Sequence, residues 1–174
     1  MANLRFAAPV EARVAVVTGG ARGIGRASAL RMAEEGRKIV IADLNDEEAQ
    51  KTVADIEAMG HQAEYVRADV ADEGAVHALM EHTVSRHNRL DILVCCAGIL
   101  GLEAPFLEQN AAQFDKIMRI NLYGVFYAHQ AAIPHMLTGG WGRCVTVTSS
   151  ARHAAANLLP YGVSKGAVYS LIGA

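Results

Sequence analysis

Thr18-Gly19-Gly20-Ala21-Arg22-Gly23-Ile24-Gly25 is the stretch on which the fold turns. Upstream of it, Arg13–Thr18 (RVAVVT) is short, β-branched and followed at once by glycines, which reads as a buried strand. Downstream, Gly23 to about Gly36 reads as a helix that stops at a glycine. Glycines between a strand and a helix permit a tight turn and a close approach to the backbone. The helix N-terminus then offers unpaired N–H groups and the positive end of a dipole, a setting that suits a pyrophosphate. Many turns are rich in glycine, so the strand before and the helix after are what give this cluster weight.

The same alternation continues along the chain. Lys38–Asp43 (KIVIAD) is a second strand, Asp46–Met59 a polar-faced helix closed at Gly60, and Gln62–Ala68 a weaker third strand. Asp72–His87 reads as a third helix with Asp72 as its N-cap, and Leu90–Cys95 (LDILVC) as a fourth strand. A long helical stretch covers about Ala111–Leu137. The run Gly139-Gly140-Trp141-Gly142 turns the chain into a fifth strand, Arg143–Thr148, and a last helix begins near Tyr161. Strands spaced by helices of this length predict right-handed crossovers. The expected fold is a single α/β domain over residues 1–174, a three-layer αβα, Rossmann-type, doubly wound parallel sheet. Near-continuous apolar strands agree with burial on both faces.

Ligands of such sheets sit beyond the carboxyl ends of the strands. Asp43 ends the second strand, 18 residues after Gly25. A carboxylate there can accept hydrogen bonds from both hydroxyls of an adenosine ribose and repels a 2′-phosphate, which points to NAD ahead of NADP. Beside Asn45 and Asp46, the same carboxylate can also cap a turn.

Composition narrows the classes. The chain has 174 residues, 52% hydrophobic and 20% charged, with a net charge of −2. That balance fits a globular domain and offers no basic stripe for a nucleic acid. No apolar run reaches the roughly 18 residues needed to cross a bilayer. The N-terminal MANLRFAAPVEAR has no apolar leader core, so a cytoplasmic protein is expected. Cys95, Cys96 and Cys144 form no metal-binding or disulfide spacing and are expected to be buried thiols. His77, His82 and His87 recur every five residues, which spreads them around a helix, so no metal site is expected.

The spacing TGxxxGxG over residues 18–25 resembles the short-chain dehydrogenase/reductase family. So does Tyr161-Gly162-Val163-Ser164-Lys165, which fits that family's YxxxK and puts phenol and ammonium one helical turn apart. The resemblance runs from residue 10 to residue 174. It implies an oxidoreductase moving a hydride between NAD and an alcohol or ketone. Tyr161 would act as general acid or base. Lys165 would hold the nicotinamide ribose and favour phenolate as a neighbouring cation. Ser150, or alternatively Ser149, would hold the substrate oxygen, and Asn121 in Arg119–Gly124 a water of the proton relay.

The resemblance assigns Gly19, Arg22, Gly23, Ile24, Gly25 and Asp43 to cofactor binding, with Asp69 and Val70 holding adenine. Asp69 can also cap the next turn. A basic residue at Arg22 resembles NADP-using members, and Asp43 decides for NAD. Cys95-Cys96-Ala97-Gly98 stands where the family has Asn-Asn-Ala-Gly. Cys96, Ala97 and Gly98 would still line the cofactor site, but thiols are poor hydrogen-bonders and weaken the network the asparagines build.

Family members continue past this chain's last helix through further strands and a substrate-covering loop, so the sheet is expected to lack its last strands. The implied assembly is a homodimer or homotetramer packed through the long helix and the last one. The alternative function is a non-catalytic nucleotide-binding or oligomerisation module without a substrate pocket.

Overall fold

The computed structural model describes Pro9, residues 12–153 and residues 156–173, and within them all five apolar runs form strands. Most of the N-terminal stretch weighed above as a leader, and Ala174, lie outside the described residues. Strand β1 (Val14–Thr18) is central. It pairs in parallel with β2 (Lys38–Asp43) on one side and β4 (Ile92–Cys95) on the other. Strand β3 (Ala63–Arg67) lies outside β2, and β5 (Arg143–Thr146) outside β4, for an order of β3-β2-β1-β4-β5. The chain therefore winds outward from β1 and returns to its other side, which opens a crevice beyond the carboxyl ends of β1 and β4.

Alternation along β1 builds two cores. Ala15 and Val17 pack with Ile39 and Ile41 against Ala29 and Ala33 of α1 (Gly23–Glu34) and Ala49 and Ile56 of α2 (Asp46–Ala58). Val14 and Val16 face the other layer, where α3 (Glu73–His87) contributes Val76, Leu79 and Met80. That layer is completed by Val125, Ala128 and Ala132 of α5 (Gly124–Gly139) and by Val168 of α6 (Leu159–Leu171). Each fully buried Ile or Leu contributes about 1.5–3 kcal/mol. Buried Asp91 pins the start of β4 to β1. Its carboxylate accepts the Val14 N–H at 2.8 Å and two Arg89 N–H groups at 2.7 and 2.6 Å.

Asp72 is the N-cap of α3, as expected, accepting the Ala75 N–H at 3.1 Å. Asn45 caps α2 in the same manner. Four expectations need correction. The long helix is interrupted: α4 (Ala111–Met118) passes into a π turn, Arg119–Tyr123, before α5, and the Gly124 N–H reaches back to the Arg119 carbonyl. Strand β5 is the sheet's edge among the described residues, and its Arg143, Cys144 and Val145 are exposed. Of the three thiols only Cys95 is buried. Cys96 is half-buried and Cys144 exposed. His82 and His87 also do not diverge fully, since both reach the carboxylate of Glu64 on β3, at 3.3 and 2.8 Å. Among the described residues no group of side chains is arranged to hold a metal, and no helix is long and apolar enough to cross a membrane.

Candidate active site

The glycines of the β1–α1 turn differ in purpose. Gly19 takes φ +67°, and a Cβ there would lie 2.6 Å from the Ala97 nitrogen on the loop after β4. Its own N–H is spent on the Ala42 carbonyl at 2.8 Å. A Cβ on Gly25 would lie 2.1 Å from the Gly19 carbonyl oxygen, so the first turn of α1 can sit against the loop only without a side chain. Gly23, at φ +57°, faces open space and serves the backbone conformation alone. Arg22 precedes α1 without capping it through its side chain, and the first turn carries no acid. The N–H groups there remain open to an anion.

A groove of about 370 Å³ runs from this turn across the strand ends. Of the residues expected to bind a cofactor, it is lined by Gly19, Arg22, Ile24, Gly25, Asp43, Asp69, Val70, Cys96, Ala97 and Gly98. Gly23 shapes the turn and does not line it. Ala42, Leu44, Ala68, Ile99, Ile120 and Val147, which no sequence motif marks, supply apolar wall. They follow only from the register of the strand ends. The bare backbone at Gly19 and Gly25, the acid opposite and the apolar floor fit a dinucleotide.

Asp43 makes the turn cap that its position allowed. Its Oδ1 caps the turn, accepting the Leu44 N–H at 2.8 Å and the Asn45 N–H at 3.0 Å. Its Oδ2 accepts one N–H, that of Ala21, at 3.1 Å, and so keeps a lone pair for the groove. Asp69 likewise caps a turn through the Ala71 N–H at 2.9 Å while lining the groove.

The cysteine pair leaves a mark on the sheet. Cys95 sits between Thr18 and Thr146 in register, and burial pushes its thiol up to about 12. The Thr146 and Thr18 hydroxyls beside the thiol pull the other way. Burial also raises the Cys96 thiol, against the pull of the Lys165 ammonium.

The proton-transfer end lies on α6 and on what α6 touches. Tyr161 and Lys165 are one turn apart, with the Lys165 Nζ 5.8 Å from the phenol ring centre. Lys165 is buried and donates to the Val147 carbonyl at 2.8 Å, and burial lowers its pKa below the usual 10.5. Asn121 lies in the π turn with no exposure at all. Its amide donates to the Ile99 carbonyl at 2.9 Å and to the Ser164 hydroxyl at 3.0 Å, and its Oδ1 accepts the Ile99 N–H at 2.8 Å. Ser164, which the sequence did not single out, passes the chain on to the Tyr161 carbonyl at 2.7 Å. Gly98 is where the two ends meet. A Cβ there would lie 3.2 Å from the Asn121 Oδ1 and 3.7 Å from the Lys165 Nζ. Ser149 and Ser150 follow β5. Ser149 caps the short 3-10 turn Ser150–His153 by accepting the Ala151 N–H, and Ser150 stands exposed at its head.

Residues 13–174 match the short chain dehydrogenase family. The chain is 37% identical over 164 residues to a 2-dehydro-3-deoxy-L-rhamnonate dehydrogenase (NAD(+)) of Sphingomonas, covering 94% of this chain and 64% of that protein. It is 40% identical over 163 residues to a 2-(R)-hydroxypropyl-CoM dehydrogenase of Xanthobacter autotrophicus, covering 91% and 65%. The crystal structure of an NAD+-bound xylitol dehydrogenase superposes with a TM-score of 0.89 at 35% identity, over 92% of this chain and 62% of that one. The chain thus spans a little under two thirds of the length of these relatives. A family match over nearly the whole chain and a shared parallel sheet lead to one assignment: the chain belongs to the short-chain dehydrogenase family.

Proposed function

We propose that this chain is the cofactor-binding and proton-transfer part of an oxidoreductase that acts on a CH–OH or ketone carbon of a small molecule, with NAD rather than NADP as its cofactor. The observation that carries the reading is the meeting at Gly98 of the groove with Asn121 and Lys165, one turn from Tyr161. The relatives' names support the class, and one of them names NAD(+). When bound, the nicotinamide ring supplies the hydride chemistry.

The chain's own residues do the rest. The open N–H groups of α1 and the bare backbone of Gly19, Gly23 and Gly25 hold the pyrophosphate, with Arg22 and Ile24 flanking it. Asp43 accepts the adenosine ribose hydroxyls. Asp69 and Val70 hold adenine, and Cys96, Ala97 and Gly98 leave room for the second ribose. Lys165 binds that ribose and presents its ammonium to Tyr161. The Tyr161 hydroxyl moves the substrate's hydroxyl proton, and Ser150, with Ser149 as alternate, fixes the substrate oxygen. Asn121 keeps the loop after β4 registered against α6, so the groove and the phenol keep one geometry. The outer faces of α5 and α6 expose Phe126, Ile133, Val163 and Tyr169 and are proposed to meet a second copy.

Titrating NADH and NADPH by their fluorescence tests the cofactor reading. A charge-assisted hydrogen bond contributes roughly 1.5–3 kcal/mol, so NADH is expected to bind at least about tenfold tighter than NADPH. Asp43→Ala is expected to erase that preference. Equal affinities for the two cofactors in the parent chain would overturn the NAD assignment.

A further inference from the structure

Around the turn from β2 into α2 lies a set of polar contacts outside the groove. Tyr65 and Arg67 stand two apart on β3 and so share a face. Arg67 is the register partner of Asp43. The Tyr65 hydroxyl directs its one proton chiefly to the Asp46 Oδ1 at 2.5 Å, with the Asp43 carbonyl oxygen, 3.2 Å away, as the weaker shared acceptor, and that carbonyl also accepts the Ala68 N–H at 3.3 Å. One Arg67 nitrogen, Nη1, donates to the Leu44 carbonyl at 2.8 Å and to the Asp46 Oδ2 at 2.7 Å.

Peptide planarity gives these contacts a reach beyond the atoms they touch. The Asp43 carbonyl and the Leu44 N–H belong to one rigid plane, and the Leu44 carbonyl and the Asn45 N–H to the next. Holding the two carbonyl oxygens from β3 therefore aims the two N–H groups the opposite way. Both of those N–H groups donate to the Asp43 Oδ1. Oδ2 is left with the Ala21 N–H as its one donor, on a residue that lines the groove.

We propose that Tyr65 and Arg67 are positioning residues that set the preference for NAD over NADP, by locking the two peptide planes whose N–H groups hold the Asp43 carboxylate. This rests on the reading of Asp43 as the ribose-binding acid. Asp46 is the anchor of the lock, since its carboxylate receives both β3 side chains. The pair is suited to neutral pH: burial, then Asp46, push the Tyr65 phenol up to about 12, and the Tyr65 and Arg67 hydrogen bonds hold Asp46 below the usual carboxylate range. Were Arg67 and Asp46 only an exposed ion pair, removing it would not touch cofactor choice.

The test is the ratio of NADPH to NADH dissociation constants, by fluorescence titration of the full chain, with thermal melts in parallel. Tyr65→Phe removes only the hydroxyl and keeps the ring. Losing one holding bond is expected to lower the ratio about three- to tenfold through weaker NADH binding. Arg67→Gln is expected to lower it in the same direction, and Arg67→Lys to restore part of it. The sign is diagnostic, because losing a cation near the site would by field alone weaken binding of the doubly charged 2′-phosphate and raise the ratio.

A ratio raised by Arg67→Gln, or an equal loss for both cofactors, would overturn the proposal. So would a ratio unchanged in Tyr65→Phe while Asp43→Ala alters it, and in that case the role of Asp43 would stand. If Asp43→Ala leaves the ratio as in the parent, the ribose reading itself fails, and the positioning role with it.

Discussion

Gly25→Ala puts a single methyl group against backbone that cannot turn aside. The added Cβ would lie 2.1 Å from the Gly19 carbonyl oxygen, 2.8 Å from its carbonyl carbon and 3.1 Å from the Gly20 Cα. An ordinary Cβ–oxygen contact is about 3.3 Å, so the loop and α1 must part by roughly 1 Å. Overpacking of this kind costs about 1–3 kcal/mol, and backbone on both sides puts this site at the upper end. Alanine's better helix propensity returns up to about 1 kcal/mol, which leaves a net loss of about 2 kcal/mol. The loop that would cradle the pyrophosphate is the part that moves. Gly19 cannot retreat, because its other side meets Ala97. NADH affinity is therefore expected to fall by more than about tenfold, beyond the loss in stability. Urea unfolding and NADH titration of Gly25→Ala measure both. Gly23→Ala is the control: its Cβ meets nothing, so it should cost only about 1–2 kcal/mol for the left-handed backbone. Parent-like stability and NADH affinity in Gly25→Ala would refute the reasoning, as would a larger loss in Gly23→Ala.

Asp91→Ala leaves the Val14 N–H and the Arg89 guanidinium without their acceptor and should lower unfolding stability by about 2–4 kcal/mol in urea. A loss below about 1 kcal/mol would contradict the pinning role. Lys165 has a folded-state pKa below 10.5, so between that value and 10.5 the unfolded chain binds more protons and parent stability gains as pH rises. Comparing parent with Lys165→Met in urea at pH 7 and pH 10 should show the difference move in the parent's favour, and movement the other way would contradict the burial assigned to the ammonium. Sedimentation at micromolar concentration is expected to show at least a dimer, and a well-folded monomer would count against the α5–α6 faces as an interface.

Strand and helix positions were legible because their periods are local. The second strand, Lys38–Asp43, came out residue for residue from its apolar run. Asp43 was legible as a strand-end acid and as a turn cap, but its bond from the Ala21 N–H was not, since that group lies 22 residues away in sequence. Tyr65 and Arg67 gave no signal: the third strand is the least apolar, and their role depends on the register of β3 with β2. The π turn was hidden for another reason. Apolar residues on both sides of Asn121 keep a helical period, so a polar residue turned fully inward looks like one on the outer face. Ser150 kept its place in the run Thr-Ser-Ser, but its contact with a substrate depends on a surface the strand ends do not provide.

The π turn is in effect a one-residue insertion that the fold has kept. Deleting any residue of Arg119–Tyr123 would give a more regular helix, with every carbonyl answered four residues on. Five residues in a π turn sweep nearly the same arc as four in an α turn, so α5 would keep Val125, Ala128, Ala132 and Met136 on its core face. What the deletion would take away is the inward station of Asn121, and with it the bonds that tie Ile99 and Ser164 together. The extra residue thus serves the site and not the packing of the helix that follows it.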